Sequence, residues 1–225
     1  MTLKKGYAVI DLPPASKEIL EAFGALPKDP YCGGDQRFRR FSQYRIEYNG
    51  GCWHLECLPH RPFIQAKKYN SFVGGIPRYL EPLTIDPSPQ IDAGAKAIPL
   101  DTKLIYQINV HQCRVITNAH TKGISVPEGP HRDGHEYGLL AVFQRYQISG
   151  GVTQLMPIGG GEPFFEVTLQ PNQALVYDDN KMWHFASDIE PISEETGIRD
   201  LWIVAFNQWK NRRYGEQFEA EAGKI

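Results

Sequence analysis

At 225 residues the chain is the size of one domain, and a 41% hydrophobic content is enough for a sizeable core. With 24 Lys+Arg against 26 Asp+Glu the formal net charge is -2, so charge gives no case for nucleic acid or anionic lipid as a partner. No apolar run reaches membrane-spanning length, and Cys32, Cys52, Cys57 and Cys113 form no C-x-x-C pair, which points to reduced thiols in a cytoplasm.

Taken in order, the chain starts with Lys4-Lys5 and an apolar run from Tyr7 to Ile10. The run is too short for a signal peptide and reads as a strand stopped by Pro13-Pro14. Ser16 is placed to cap a helix whose apolar side is Ile19, Leu20, Phe23 and Leu26, ending at Pro27. Arg37–Tyr48 reads as an aromatic-rich strand with its arginines on a solvated face. Residues 59–102 carry seven prolines and predict little regular structure beyond a short helix over Ile76–Leu83. Their apolar side chains argue against a boundary there. The expectation is a single domain over 1–225, with 1–102 as an N-terminal elaboration and 103–209 as the core.

From residue 103 onward the texture is β. KLIYQINVHQCRVIT, EYGLLAVFQRYQIS, GVTQLMPI, PFFEVTL, QALVYDD and RDLWIVAFNQW are rich in β-branched and aromatic residues. Gly150-Gly151, Gly159-Gly160-Gly161, Pro171-Asn172 and Asp178-Asp179-Asn180 punctuate them. Short strands at this spacing without long helices predict a mostly β fold, an antiparallel sandwich or barrel of jelly-roll type.

The chemistry centres on EGPHRDGHEYG. A strand places residues i and i+2 on one face, so His131 and Asp133 are expected to reach one ion from adjacent inward positions. His184, after a later strand and a tight turn, supplies a third donor. Two histidines and a carboxylate on one face of a metal leave its other positions open, the arrangement expected for a non-haem Fe(II) oxygenase. A closed zinc site would use four ligands, often cysteines, and all four cysteines lie outside the His131–His184 span. An H-x-D pair alone is weak. If the strand ran on, His135 would share the face of His131 and Asp133 and compete with His184; Gly134 favours a turn and a neighbouring role for His135. Arg199 opens a strand, where a buried guanidinium needs an anion. It suits the distal carboxylate of a keto diacid, with a pair to Asp200 as the plain alternative. Tyr106, Gln107 and Thr153 are weaker candidates for cosubstrate hydrogen bonds. His54, His60, His111 and His120 read as structural or surface residues.

VHQCRV, VPEGPHRDG, FQRYQISGG, YDDNKMWHFASDIEP and IRDLWIVAF together resemble the bacterial 2-oxoglutarate–Fe dioxygenase family typified by L-isoleucine 4-hydroxylase. The resemblance covers roughly Leu104 to Trp209, with an echo in RRFSQYR. It implies a double-stranded β-helix (jelly-roll, cupin-like) core and the cofactors Fe(II), 2-oxoglutarate and O2. It also implies His131, Asp133 and His184 as metal ligands, Arg199 as the 2-oxoglutarate anchor, and hydroxylation of a small free L-amino acid with release of succinate and CO2. For the substrate carboxylate the candidates are Arg145 and Arg114, with Arg39 and Arg40 behind them. Tyr137, Phe143 and Trp183 are candidate walls for an apolar side chain. Two other readings compete: a non-catalytic metal-binding or small-molecule sensor module of cupin type, and a metal-dependent isomerase or hydrolase that consumes no oxygen.

Overall fold

The computed structural model describes residues 3–70 and 72–222. Along the chain the strands and helices are β1 (Tyr7–Asp11), α1 (Lys17–Gly24), β2 (Arg37–Asn49), β3 (Cys52–Cys57), α2 (Ser88–Ala97), β4 (Tyr106–Thr117), β5 (Tyr137–Tyr146), β6 (Ile148–Gly150), β7 (Thr153–Met156), β8 (Phe165–Val167), β9 (Gln173–Asp178), β10 (Trp183–Ala186), β11 (Ile189–Pro191), β12 (Gly197–Gln208) and α3 (Glu216–Ala222). The fold is mostly β and jelly-roll-like. A seven-stranded antiparallel sheet runs β1-β9-β5-β12-β4-β2-β3, and a three-stranded sheet runs β10-β7-β8.

Side-chain alternation gives the large sheet two apolar faces. Trp202, Val204 and Phe206 of β12 point to one face, where they pack with Phe23 of α1 and Ile91 of α2. Leu201 points to the other, with Leu155 of β7 and Leu175 of β9. Helices thus cover one side of the sheet and the small sheet covers part of the other. The gap left on that second side is the cavity described below, into which Arg199, Leu201, Ile203 and Ala205 all project.

Ser16 caps α1 as its sequence suggests, its hydroxyl accepting from the Ile19 N–H at 3.4 Å, and Ile19 and Phe23 are buried while Leu20 is exposed. The helix expected over Ile76–Leu83 does not form. Pro77 and Pro82 remove backbone donors there, and Arg78 instead pairs its backbone with Phe63, each N–H donating to the other's carbonyl at 2.9 Å. α2 lies further on, begins at the proline-flanked Ser88, and packs Gly94 so closely on Leu139 that a Cβ there would collide with it. None of the described helices is long and apolar enough to cross a membrane.

Candidate metal centre and its cavity

His131 is not on a strand. It sits in a loop held to the edge of the small sheet by one isolated bridge to His184 of β10. The His131 N–H donates to the His184 carbonyl at 3.1 Å, and the His184 N–H donates back at 2.9 Å. The loop then turns at Gly134, whose φ of +76° an L side chain rarely adopts, with the Tyr69 ring against the place a Cβ would take. Beneath the turn, the Asp179 carboxylate accepts from three successive N–H groups: Asp133 at 3.2 Å, Gly134 at 2.7 Å and His135 at 2.9 Å. The turn is therefore set by the carboxylate under it, and the i, i+2 strand geometry expected for His131 and Asp133 is replaced by this cradle.

The result is a tight cluster. Ligand atoms of His131, Asp133 and His184 all lie within 4.8 Å of one another. His131 Nε2 is 3.5 Å from Asp133 Oδ1, and His184 Nε2 is 3.6 Å from Oδ2. His131 Nδ1 lies 2.9 Å from the Gly129 carbonyl; donating there fixes the tautomer that leaves Nε2 as a lone pair aimed at the cluster. Asp133 also accepts from Gln65 Nε2 at 3.0 Å. Burial lowers His184 to about 4, as does the charge of His131, so its ring is neutral and free to donate a lone pair. Burial works against protonated His131 too, but Asp133 outweighs it and raises His131 to about 9. The neighbouring histidines hold the Asp133 carboxyl well below its ordinary value despite burial. The carboxylate is thus matched to a cation, and a divalent metal would take the place of the proton. His135 lines the cavity but is not one of the clustered donors: its Nδ1 lies 2.7 Å from Asn207 Nδ2, and burial with Arg213 lowers it to about 3.

Arg199 opens into the same cavity. It is 1% exposed, and its Nε and Nη2 have no partner. Burial and neighbouring Arg145 lower it to about 10. Asp200, the plain alternative as its partner, points the other way and is held by Arg114 through two 2.7 Å hydrogen bonds. That pair corrects the reading of Arg114 as a substrate clamp: its charge is already neutralised, and it does not line the cavity. Arg145 does not line it either; its Nη2 donates to the Gly150 carbonyl at 2.7 Å, and Gly151 packs against both Arg145 and Arg199. It is the cross-strand neighbour of Arg199, has a buried Nη1 without a partner, and adds to the positive potential there. Thr153 lines the cavity with an unpartnered hydroxyl, whereas Tyr106 is buried on the helix side and Gln107 is engaged with Asn109 and Asn207.

The walls differ from those expected. Phe143 and Tyr137 pack on the helix side of the large sheet, and Trp183 lies outside the lining. Leu140, Leu201, Ile203, Phe63, Phe72 and Phe185 form the apolar walls instead. Arg40 is at the surface with Glu81 at 2.8 Å, while Arg39 lines the cavity and pairs with Asp29 at 3.0 Å. Sequence reasoning missed Gln65, Asn70, Arg78, Glu128 and Asp179, all placed around the cluster, and it read His111, which lines the cavity between the Phe41 and Phe63 rings, only as structural.

The profile of the 2OG-Fe dioxygenase family matches residues 20–205. Among solved structures, the chain is similar to a bsmA homolog from Methylobium petroleophilum PM1, with a TM-score of 0.73 and 24% identity over 85% of this chain and 80% of that one. It is also similar to IDO from Bacillus thuringiensis, with a TM-score of 0.69 and 18% identity over 91% of both chains. A third similar structure is the Fe(II)/(alpha)ketoglutarate-dependent dioxygenase TqaL, with a TM-score of 0.60 and 13% identity over 90% of this chain and 82% of that one. No curated protein matches the chain by sequence. The cofactors of the matched family are Fe(II), 2-oxoglutarate and O2, and two imidazole nitrogens beside one carboxylate, with an unpaired buried guanidinium in the same cavity, are donors of the kind those groups need. The chain belongs to the 2OG-Fe dioxygenase family, and it is an Fe(II)- and 2-oxoglutarate-dependent oxygenase.

Proposed function

We propose that the protein hydroxylates an unactivated side-chain carbon of a small free L-amino acid, aliphatic or cyclic, with release of succinate and CO2. The observation that carries this reading is one cavity holding the His131, Asp133 and His184 cluster, the unpaired Arg199 and apolar walls together. The sequence resemblance to the family typified by L-isoleucine 4-hydroxylase supports the choice of substrate class.

Bound Fe(II) supplies, with 2-oxoglutarate and O2, the oxidising power of the reaction. The chain supplies position and shelter. His184 would present a neutral nitrogen, His131 the nitrogen whose proton the metal displaces, and Asp133 a carboxylate, and three protein donors would leave room for the cosubstrates. Arg199 receives the distal carboxylate of 2-oxoglutarate in a fork that a lysine could not reproduce. Leu140, Leu201 and Ile203 line the cavity with apolar surface that disfavours water around the reacting groups. Holding the substrate at a fixed distance from the metal selects one carbon for attack.

A mass-spectrometric screen of free aliphatic and cyclic L-amino acids for a gain of one oxygen tests the reading. At least one is expected to react, and its amide or ester is expected to lose most of the activity. Peptides reacting as well as free amino acids would replace this reading with a peptide hydroxylase.

A further inference from the structure

The cavity contains a buried cation that binding of Fe(II) and 2-oxoglutarate does not use, Arg78. Arg78 is 3% exposed, and the double backbone bridge to Phe63 fixes its Cα. Its guanidinium carbon lies 4.2 Å from the Phe63 ring centroid. Its side-chain hydrogen bond is a long one, Nη2 to Gln65 Oε1 at 3.5 Å, and its Nε is buried without a partner. Among the described residues no carboxylate lies within ion-pair distance of it, and its neighbour Arg39 is already paired with Asp29. Burial and then Arg39 lower Arg78 to about 9. A buried guanidinium without a counter-ion is costly, and stacking on Phe63 recovers only part of that cost.

An acid lines the same cavity, Glu128, whose Oε1 lies 3.8 Å from His131 Nε2. Glu128 Oε1 accepts from Asn70 Nδ2 at 3.2 Å, and the same Asn70 amide donates to Gln65 Oε1 at 3.2 Å. Gln65 then donates to Asp133 Oδ1 at 3.0 Å. One hydrogen-bonded chain therefore runs from Glu128 through Asn70 and Gln65 to the metal-site carboxylate, with Arg78 attached at Gln65. Arg199 lines the same cavity from another direction. It projects from β12, whereas Phe63, the backbone partner of Arg78, packs on Phe41 of β2, and β4 lies between those strands. Arg78 and Arg199 thus enter the cavity from different parts of its wall. Each calls for its own ligand.

We propose that Arg78 and Glu128 form the clamp for the amino acid, Arg78 taking its α-carboxylate and Glu128 its α-ammonium, with Gln65 tying the clamp to Asp133 and so setting the depth of the side chain. This rests on the amino-acid reading above and deepens it. A free α-amino acid carries opposite charges on one carbon, and a buried cation and an acid lining one cavity are complementary to that pattern.

The test is calorimetric titration of the full-length protein, loaded with Zn(II) and 2-oxoglutarate so that no turnover occurs, with L-isoleucine, L-leucine, L-valine and L-proline and with their amides and N-acetyl derivatives. At least one free amino acid is expected to bind at least tenfold more tightly than either derivative. Arg78→Met should weaken it at least tenfold while leaving 2-oxoglutarate affinity unchanged, and Arg78→Lys should recover part of the loss. Glu128→Gln should erase the discrimination against the N-acetyl derivative. Arg199→Met should do the converse of Arg78→Met, weakening 2-oxoglutarate. Unchanged 2-oxoglutarate affinity reports that a variant is folded; should Arg78→Met not fold, Arg78→Lys and Glu128→Gln carry the test. Wild-type affinity for the free amino acid in the Arg78 variants, or undiminished N-acetyl discrimination in Glu128→Gln, overturns the clamp and leaves the amino-acid reading standing. Wild-type protein that binds none of the free amino acids overturns both.

Discussion

His131 and His184 exchange both backbone hydrogen bonds, at 3.1 and 2.9 Å, although they lie on different segments far apart in sequence. The exchange puts their rings side by side, with centroids 4.5 Å apart, before any metal is considered. A donor pair held by main chain loses little entropy when it takes up an ion, and the remaining freedom in the cluster belongs to Asp133, which the Asp179 cradle and Gln65 restrain.

That division gives the first prediction. Asp179→Ala removes the acceptor for three backbone N–H groups and should weaken Fe(II) binding by about 10–100-fold, the range for losing a group that orients a metal ligand. Asp179→Asn, which keeps one acceptor oxygen, should lose less. Equilibrium Fe(II) titration under anaerobic conditions checks both, and wild-type affinity in Asp179→Ala would remove the cradle from the account.

Gly134→Ala should cost stability as well as metal affinity. The φ of +76° opposes a side chain, and the Tyr69 ring occupies the space a Cβ would enter. Strain of this kind costs roughly 1–3 kcal/mol, and the collision adds to it. Urea unfolding measures the loss.

Arg114→Ala separates two roles. Asp200 is 0% exposed and its charge is met by Arg114 alone among the described ion pairs, so the variant leaves a buried carboxylate uncompensated. The expected cost is about 3–5 kcal/mol of stability. The Michaelis constant for the amino acid should not change in the folded fraction; a large increase would return Arg114 to the substrate site.

Acid should destabilise the fold through His111. This ring lies between Phe41 and Phe63, with centroids 4.6 and 4.5 Å away. Burial first, then Arg39, Arg78 and His135, holds it well below its ordinary 6.5, with only Asp133 opposing. The folded ring stays neutral while the unfolded one takes up a proton below about pH 6.5, so the unfolded state binds more protons and stability falls as pH falls. The slope approaches about 1.4 kcal/mol per pH unit. Chemical denaturation between pH 7 and 5 should show it, and His111→Phe should reduce the slope by the share of one group, leaving that of His135 and His184, which burial also holds neutral.

The second half of the chain was legible because its strands alternate and its turns carry glycine, proline or asparagine, as β5, β9 and β12 illustrate. The motif around His131 and the distal His184 was legible as a pattern of residue types. What sequence could not convey was the backbone beneath it: an i, i+2 strand reading of His131 and Asp133 is natural, and only the position of Asp179 shows why a loop serves instead. α2 was hidden because Pro87, Pro89 and Gly94 obscure a helical pattern that packing on Leu139 makes favourable. Arg78 and Gln65 were hidden for a related reason. They fall in a proline-rich stretch without periodicity, and their meaning comes from neighbours on β2 and the 131–135 loop.

Arg199→Ala should raise the 2-oxoglutarate requirement far more than the metal requirement. Loss of a buried charge-assisted pair costs on the order of 2–5 kcal/mol. Succinate formation at varied 2-oxoglutarate and varied Fe(II) separates the two, and an unchanged Michaelis constant for 2-oxoglutarate would move the anchor to another residue.

The most direct measurement is the mass of the amino acid recovered after reaction with Fe(II), 2-oxoglutarate and 18O2. The account predicts a free aliphatic or cyclic L-amino acid heavier by one 18O in place of hydrogen, one succinate formed for each, and neither product from Asp133→Ala. Succinate formed without label in any free amino acid, or labelled product from Asp133→Ala, would contradict it.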